Sequence, residues 1–267
     1  VTGSWLQRLT RDSDVTTRLV CFPHAGGTPA NFRAWPQALT AGTELLSAHY
    51  PGHGSRLSET PVDRIPTMAQ SVMDALLERP ALPTIFFGHS MGGLVAFEVA
   101  RRLTLAALPT PARLFVSGHA PPHRPPANEP FSHLPDLDFL RVLDERFAAV
   151  PPELLQYPDL LALLLPALRA DVAAVEAYRP AKHAVLACPL SAFGGTDDAT
   201  ATPDDLEAWG ELTRGPFDVR LFAGGHFYIN DDRHRETVVA EVRAALDALR
   251  VETAHAQPAI VPAERTA

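Results

Sequence analysis

The chain has 267 residues, enough for one sizeable core, with 46% hydrophobic and 20% charged residues, an ordinary balance for a globular fold. Its formal net charge of −8 argues against a nonspecific nucleic-acid binder, which needs a concentrated positive surface. No apolar run reaches the roughly 18 residues of a membrane span, since the richest stretch, Leu160 to Leu165, is interrupted by Pro166. With no apolar signal core in the first residues, VTGSWLQRLTRDSD, a cytoplasmic protein is expected.

Strand-like and helix-like segments alternate along most of the sequence. Trp5–Leu9 reads as a marginal edge strand, and Leu19–Phe22, Leu45–Tyr50, Thr84–Gly88, Arg113–Ser117, Leu190–Phe193 and Val219–Phe222 read as core strands. Most are short and apolar, as strands buried on both faces are. Helical patterns lie around Met68–Glu78, Gly92–Leu105, Asp204–Thr213 and Arg235–Leu249. This order predicts a mainly parallel sheet flanked by helices.

The alternation breaks between Pro121 and Pro180. There the proline-rich APPHRPPANEP leads into leucine-rich helical sequence, including PDLLALLLPALRADVAAVEAY. Most connections span about 4–6 residues, so a structureless loop of this length is implausible and a helical insertion is predicted. The expected organisation is a core of residues 1–120 and 181–250, a helical lid insertion at 121–180, and a mobile tail at 251–267. The competing reading makes the insertion a scaffold with no part in substrate choice. The two cysteines, Cys21 and Cys188, fall in strand-like runs and read as buried hydrophobes. His119 and His123 flank Ala-Pro-Pro and read as loop residues. No zinc spacing, P-loop or dinucleotide fingerprint is present, so no metal or cofactor is expected.

Gly88-His89-Ser90-Met91-Gly92 is the sequence's chemical signal. This G-x-S-x-G follows the apolar TIFF and opens the helical GGLVAFEVARRL, the context of a nucleophile elbow in an α/β-hydrolase fold. Glycines flank the serine because side chains there would strike the neighbouring backbone. A serine capping the helix is the bland alternative, and the glycines with the preceding strand disfavour it.

A serine hydroxyl needs a base, and in this fold the acid and then the histidine follow the serine in sequence. His226 fits the base, lying between the Val219–Phe222 strand and the last helical pattern. His24, His49 and His53 precede the serine, His89 adjoins it but points elsewhere, and His255 lies in the tail. For the acid, Asp197 and Asp198 both follow the strand of LSAFGGTDD, and a three-residue spacing after Gly195 favours Asp198. The oxyanion hole calls for two backbone N–H groups, Met91 after the nucleophile and one from Phe22-Pro23-His24-Ala25-Gly26-Gly27, where Ala25 is preferred and His24 is the alternative.

The stretches CFPHAGGTPANFRAW, YPGHGSR, FFGHSMGGLVAFEVAR, FGGTDD and FAGGHFYI together resemble the stand-alone type II thioesterases of polyketide and nonribosomal peptide biosynthesis. The resemblance runs from about Leu19 to Leu249. It implies hydrolysis of stalled or aberrant acyl groups from the phosphopantetheine arm of acyl or peptidyl carrier proteins, in antibiotic-type pathways. From the residues alone come only acyl transfer through a serine, and three rivals: a general carboxylesterase, a releasing or cyclising domain of a synthase, and a non-catalytic binding protein on the same fold.

Overall fold

The computed structural model describes residues 3–124, 128–151, 153–180 and 185–256. In β2 (Thr17–Phe22) every residue is buried, with Leu19 and Cys21 in one core cluster and Val20 and Phe22 in another. A strand buried on both faces demands cover on both, and helices supply it. On one side lie α1 (Ile65–Leu77) and α2 (Met91–Leu105), bringing Met68, Val72, Leu94, Val95 and Val99 to the cluster of Val20 and Phe22. On the other lies α6 (Asp232–Ala256), with Val238, Val242 and Leu246 against Leu19 and Cys21.

Among the described residues the sheet has seven strands. β1 (Leu6–Arg8), β3 (Thr43–Ala48), β2, β4 (Thr84–His89), β5 (Arg113–Ser117), β6 (Leu190–Gly195) and β7 (Phe217–Phe222) lie side by side in that order. Only β1, at one edge, runs antiparallel, pairing Leu6 with Ala48. The remaining pairs are parallel, as the alternating sequence pattern predicts. The chain has the α/β-hydrolase fold. Cys21 and Cys188 are buried and free, and burial pushes both thiols above their ordinary pKa, Cys188 to about 11.

Between β5 and β6 the chain forms α3 (Asp136–Phe147) and α4 (Pro158–Ala177). They share a small core of Phe131, Phe139, Leu140, Leu143, Leu165 and Val172. Pro166 lies inside α4 and does not end it. A proline there removes one helical hydrogen bond, and the helix on either side of it buries Leu165 and Val172 in this core.

Two expectations differ from the structure. The segment predicted as one helix over Asp204–Thr213 is α5 (Pro203–Glu207), capped by Thr202, followed by a tighter turn over Ala208–Leu212. The turn buries Trp209 against Phe97 and lets its indole N–H donate to the His119 carbonyl at 2.7 Å. The final helix runs past Arg250 to Ala256, so the first part of the expected tail is helical. The rest of that tail, 257–267, lies outside the described residues. No helix among the described residues is long and apolar enough to cross a membrane.

Candidate active site

The elbow is built by exclusion. A Cβ on Gly88 would lie 2.2 Å from the Gly92 carbonyl oxygen, and one on Gly92 would lie 2.0 Å from that of Phe22. Both distances are far inside contact, so β4 can turn this sharply into α2 only with glycine at both positions. Ser90 occupies the turn with φ 53° and ψ −122°, a conformation that costs a non-glycine residue of order 1–3 kcal/mol. Its N–H donates to the Ser117 carbonyl at 2.7 Å, which helps hold that conformation.

Ser90 Oγ lies 2.9 Å from His226 Nε2, and His226 Nδ1 lies 2.8 Å from Asp198 Oδ2. Asp198 and His226 are both buried. The other carboxylate oxygen, Oδ1, accepts from the Thr200 N–H at 2.9 Å and the Thr200 hydroxyl at 2.6 Å. Burial pushes the Asp198 carboxyl upward, but the bonds from His226 and Thr200 outweigh it and hold the group below its ordinary value. An ionised Asp198 requires a proton on Nδ1, which leaves Nε2 as an acceptor for the serine hydroxyl. Asp197 is exposed, accepts a bond from Thr196, and does not reach this line.

Met91 is the first residue of α2, where an N–H has no intrahelical acceptor. In the loop after β2, Gly27 N–H donates to the His24 carbonyl at 2.9 Å and Gly26 N–H to Asp171 at 2.7 Å. Those two groups are thereby occupied.

Three further histidines lie near His226. His24, His89 and His119 are each pushed below the ordinary imidazole pKa, chiefly by burial. They are neutral neighbours and add no charge against His226. His89 turns from the serine toward Ser117, with Nδ1 2.8 Å from its Oγ, and Ser117 Oγ lies 2.7 Å from Tyr228 Oη. The Phe147 ring, at the end of α3, meets the His226 ring edge-on at 4.8 Å.

Ser90 and His226 open onto a cavity of about 390 Å³, within the usual range for small-molecule sites. Leu143 and Phe147 of α3 and Leu161, Leu165, Leu168 and Val172 of α4 line it. Leu160 and Leu163, on the same apolar run, face away and are exposed. His119 also lines the cavity. Among the described residues no three His, Cys, Asp or Glu side chains gather in a way that could hold a metal ion.

Asp171, Thr200 and Phe147 were not legible as site residues in the sequence. Asp171 had one weak signal, a carboxylate beside the apolar Leu161, Leu165, Leu168 and Val172 face of a helix. Thr200 and Phe147 had none.

A serine on an elbow at the end of a central strand, facing a cavity, defines a serine hydrolase of the α/β-hydrolase class. More narrowly, the chain belongs to the thioesterase domain family, whose sequence profile matches residues 17–246. It is 33% identical over 232 residues to the gramicidin S biosynthesis protein GrsT of Aneurinibacillus migulanus, covering 87% of this chain and 90% of that one. Against thioesterase PikA5 of Streptomyces venezuelae the identity is 37% over 235 residues, covering 87% and 82%. The solved type II thioesterase BorB of the borrelidin cluster superposes with a TM-score of 0.81 at 32% identity, covering 92% of this chain and 98% of BorB.

Proposed function

We propose that the chain is a cytoplasmic stand-alone type II thioesterase that clears stalled or aberrant acyl groups from the phosphopantetheine arms of acyl or peptidyl carrier proteins. The observation that carries this reading is the unbroken line Ser90–His226–Asp198 at the edge of an apolar cavity. A relative named for gramicidin S biosynthesis and a type II thioesterase of the borrelidin biosynthetic cluster support the substrate class.

In the first step Ser90 Oγ attacks the thioester carbon while His226 Nε2 takes the hydroxyl proton. Asp198 holds the imidazole in the Nδ1–H form and stabilises the imidazolium. The carbonyl oxygen gains the displaced electron pair and accepts hydrogen bonds from the Ala25 and Met91 N–H groups. Collapse breaks the C–S bond, and the carrier thiol leaves with the proton from His226. Water then gives a proton to His226 and attacks the acyl ester. The second collapse returns that proton to Ser90 and releases the acid.

Residues of α3 and α4 act as the lid in this reading, enclosing the acyl chain. An apolar wall distinguishes one methylene from another by only ~1–3 kcal/mol. Modest selectivity suits an enzyme that clears varied acyl groups. No cofactor is needed, since the substrate brings its own arm.

The test is mass spectrometry of carrier proteins loaded with a graded acyl series. Loss of acyl groups of several lengths, together with fluorophosphonate labelling at Ser90, is expected. Turnover of simple esters with no turnover of loaded carriers would replace this reading with a general carboxylesterase. An unlabelled Ser90 would remove the nucleophile.

A further inference from the structure

Asp171 lies on α4, is 1% exposed, and stands apart from the Ser90–His226–Asp198 line. Its Oδ2 accepts from the Gly26 N–H at 2.7 Å and lies 2.9 Å from His53 Nε2. His53 Nδ1 lies 3.0 Å from the Pro51 carbonyl oxygen. Facing a carbonyl on one side and a carboxylate on the other, the ring satisfies both by donating from both nitrogens. The imidazole and the carboxyl group are both buried. Burial disfavours the charge on His53, but the bond to Asp171 prevails and raises its pKa.

One carboxylate on the insertion therefore holds two loops from different strand ends, FPHAGG after β2 and PGHG after β3. The helix also sits tightly on both. A Cβ on Gly26 would lie 3.1 Å from Leu168 Cδ1, and one on Gly52 would lie 3.1 Å from Ala167 Cβ.

The consequence falls on Ala25. Its N–H belongs to the His24–Ala25 peptide, whose carbonyl accepts from Gly27 N–H. The next peptide is gripped from both sides, with the Ala25 carbonyl 2.9 Å from His24 Nδ1 and the Gly26 N–H held by Asp171. Of these anchors only Asp171 comes from outside the loop. Gly26 itself has φ +75°, a left-handed conformation that glycine adopts without strain and that a rigid external partner selects.

We propose that Asp171 is a positioning residue that locks the oxyanion loop to α4, so that the Ala25 N–H is aimed at the substrate oxygen only while α4 is seated. This rests on the assignment of Ala25 and Ser90 above. Closing the insertion over the acyl chain and completing the oxyanion hole are then one event. A helix displaced from its seat leaves the nucleophile and base intact and the hole unformed.

The experiment compares wild type, Asp171→Ala, Asp171→Leu and Asp171→Asn. Hydrolysis of one acyl-loaded carrier gives kcat and KM, and the rate of Ser90 fluorophosphonylation is followed by intact-protein mass spectrometry. Labelling endpoints count the competent molecules, so a loss of folded protein is not mistaken for a loss of rate. Alanine and leucine abolish the tether, and leucine does so while filling the site. Misplacing a catalytic group by about 1 Å costs ~10²-fold, so kcat should fall about 10–100-fold with KM within about threefold. Asparagine keeps an acceptor for Gly26 N–H at nearly the same volume and should recover kcat to within about tenfold of wild type. Phosphonylation rates should fall in parallel with kcat, because that reaction also develops negative oxygen at the hole. A residue that merely held the fold together would lower the folded fraction and leave kcat per labelled site unchanged. Values of kcat per site within twofold of wild type in every variant that folds, or a change confined to KM, would overturn the proposal. Failure of wild type to label at Ser90 would overturn the nucleophile assignment instead.

Discussion

Replacing Asp198 with asparagine exchanges one carboxylate oxygen for an NH₂ group and should remove nearly all turnover, for a reason visible in its hydrogen bonds. Thr200 presents a fixed backbone N–H to Oδ1 at 2.9 Å, besides its hydroxyl at 2.6 Å. An amide in that place must turn its oxygen toward the N–H, because its own NH₂ cannot accept from it. The NH₂ then faces His226 Nδ1, where Asp198 Oδ2 lies at 2.8 Å in the wild type. Facing a donor, Nδ1 must become the acceptor, and the ring proton moves to Nε2. An Nε2–H cannot take the proton of Ser90. The loss expected for a triad held in the wrong tautomer is ~10⁴ in kcat. At 1.36 kcal/mol per tenfold, that is about 5.4 kcal/mol of transition-state stabilisation. Single-turnover hydrolysis of an acyl-loaded carrier measures it directly, with thermal unfolding as the control for folding. Asp197→Asn, at an exposed side chain off this line, should cost less than about tenfold. An Asp198→Asn enzyme within tenfold of wild type, or the reverse ranking of the two variants, would refute the tautomer argument.

Other outcomes follow from the same geometry. Ser90→Ala should lower kcat by ~10⁶ without lowering the unfolding temperature, and His226→Ala should be comparably damaging, since the two groups act as a unit. Gly92→Ala drives a Cβ to 2.0 Å from the Phe22 carbonyl oxygen and should destabilise by more than ~3 kcal/mol, beyond ordinary overpacking, as read by denaturant unfolding. Glu98 is 1% exposed and accepts from Arg101, Arg102 and Tyr178. Glu98→Ala strands a buried guanidinium and should cost about 3–5 kcal/mol in the same measurement. Asp198 and Glu98 both have lowered folded-state pKa values, so the stability they contribute is complete above the unfolded carboxylate value of ~4 and is lost as pH falls through the folded values. In calorimetry over that acidic window, Asp198→Asn should flatten the dependence of stability on pH by up to about 1.4 kcal/mol per unit. Leu165→Phe, at the cavity wall, should slow hydrolysis of long acyl groups and spare acetyl and propionyl, and equal losses at every length would make the insertion a scaffold.

The legible parts of the molecule were those whose causes are local. Gly88 announces the elbow because the collision it avoids is with Gly92, four residues on and inside the same motif. The core strands announce themselves because two buried faces leave only apolar residues tolerable. Asp198 needed a spacing rule, since Asp197 has the same chemistry one position earlier and only the third dimension separates them. Thr200 was invisible for a different reason: a threonine two residues past an acid is ordinary loop sequence until its hydroxyl is seen on the carboxylate. The turn after Glu207 shows the same limit. Trp209 is buried at the cost of helical regularity, an exchange decided by Phe97 and the His119 carbonyl, which lie far away in sequence.

The insertion was legible as helical and apolar, but its attachment was not, because polar residues make it. Asp171 ties α4 to the loops after β2 and β3, and Tyr178, just beyond its end, donates to Glu98 of α2 at 2.7 Å. Both anchors lie in or after the C-terminal half of α4. The N-terminal half instead exposes Leu160 and Leu163 at 44% and 53%. Leucines are the residues a sequence reading weighs most heavily, yet here they divide between cavity wall and solvent. The few charged and hydroxylated side chains fix where that wall stands. Asp171 and Tyr178 are paired across the boundary between insertion and core with partners distant in sequence, His53 at a separation of 118 and Glu98 at one of 80. Helical periodicity carries no information about such pairs. A substitution on the leucine face should therefore alter what the cavity accepts, whereas one at Asp171 or Tyr178 should alter whether the cavity and the reacting groups are assembled together at all.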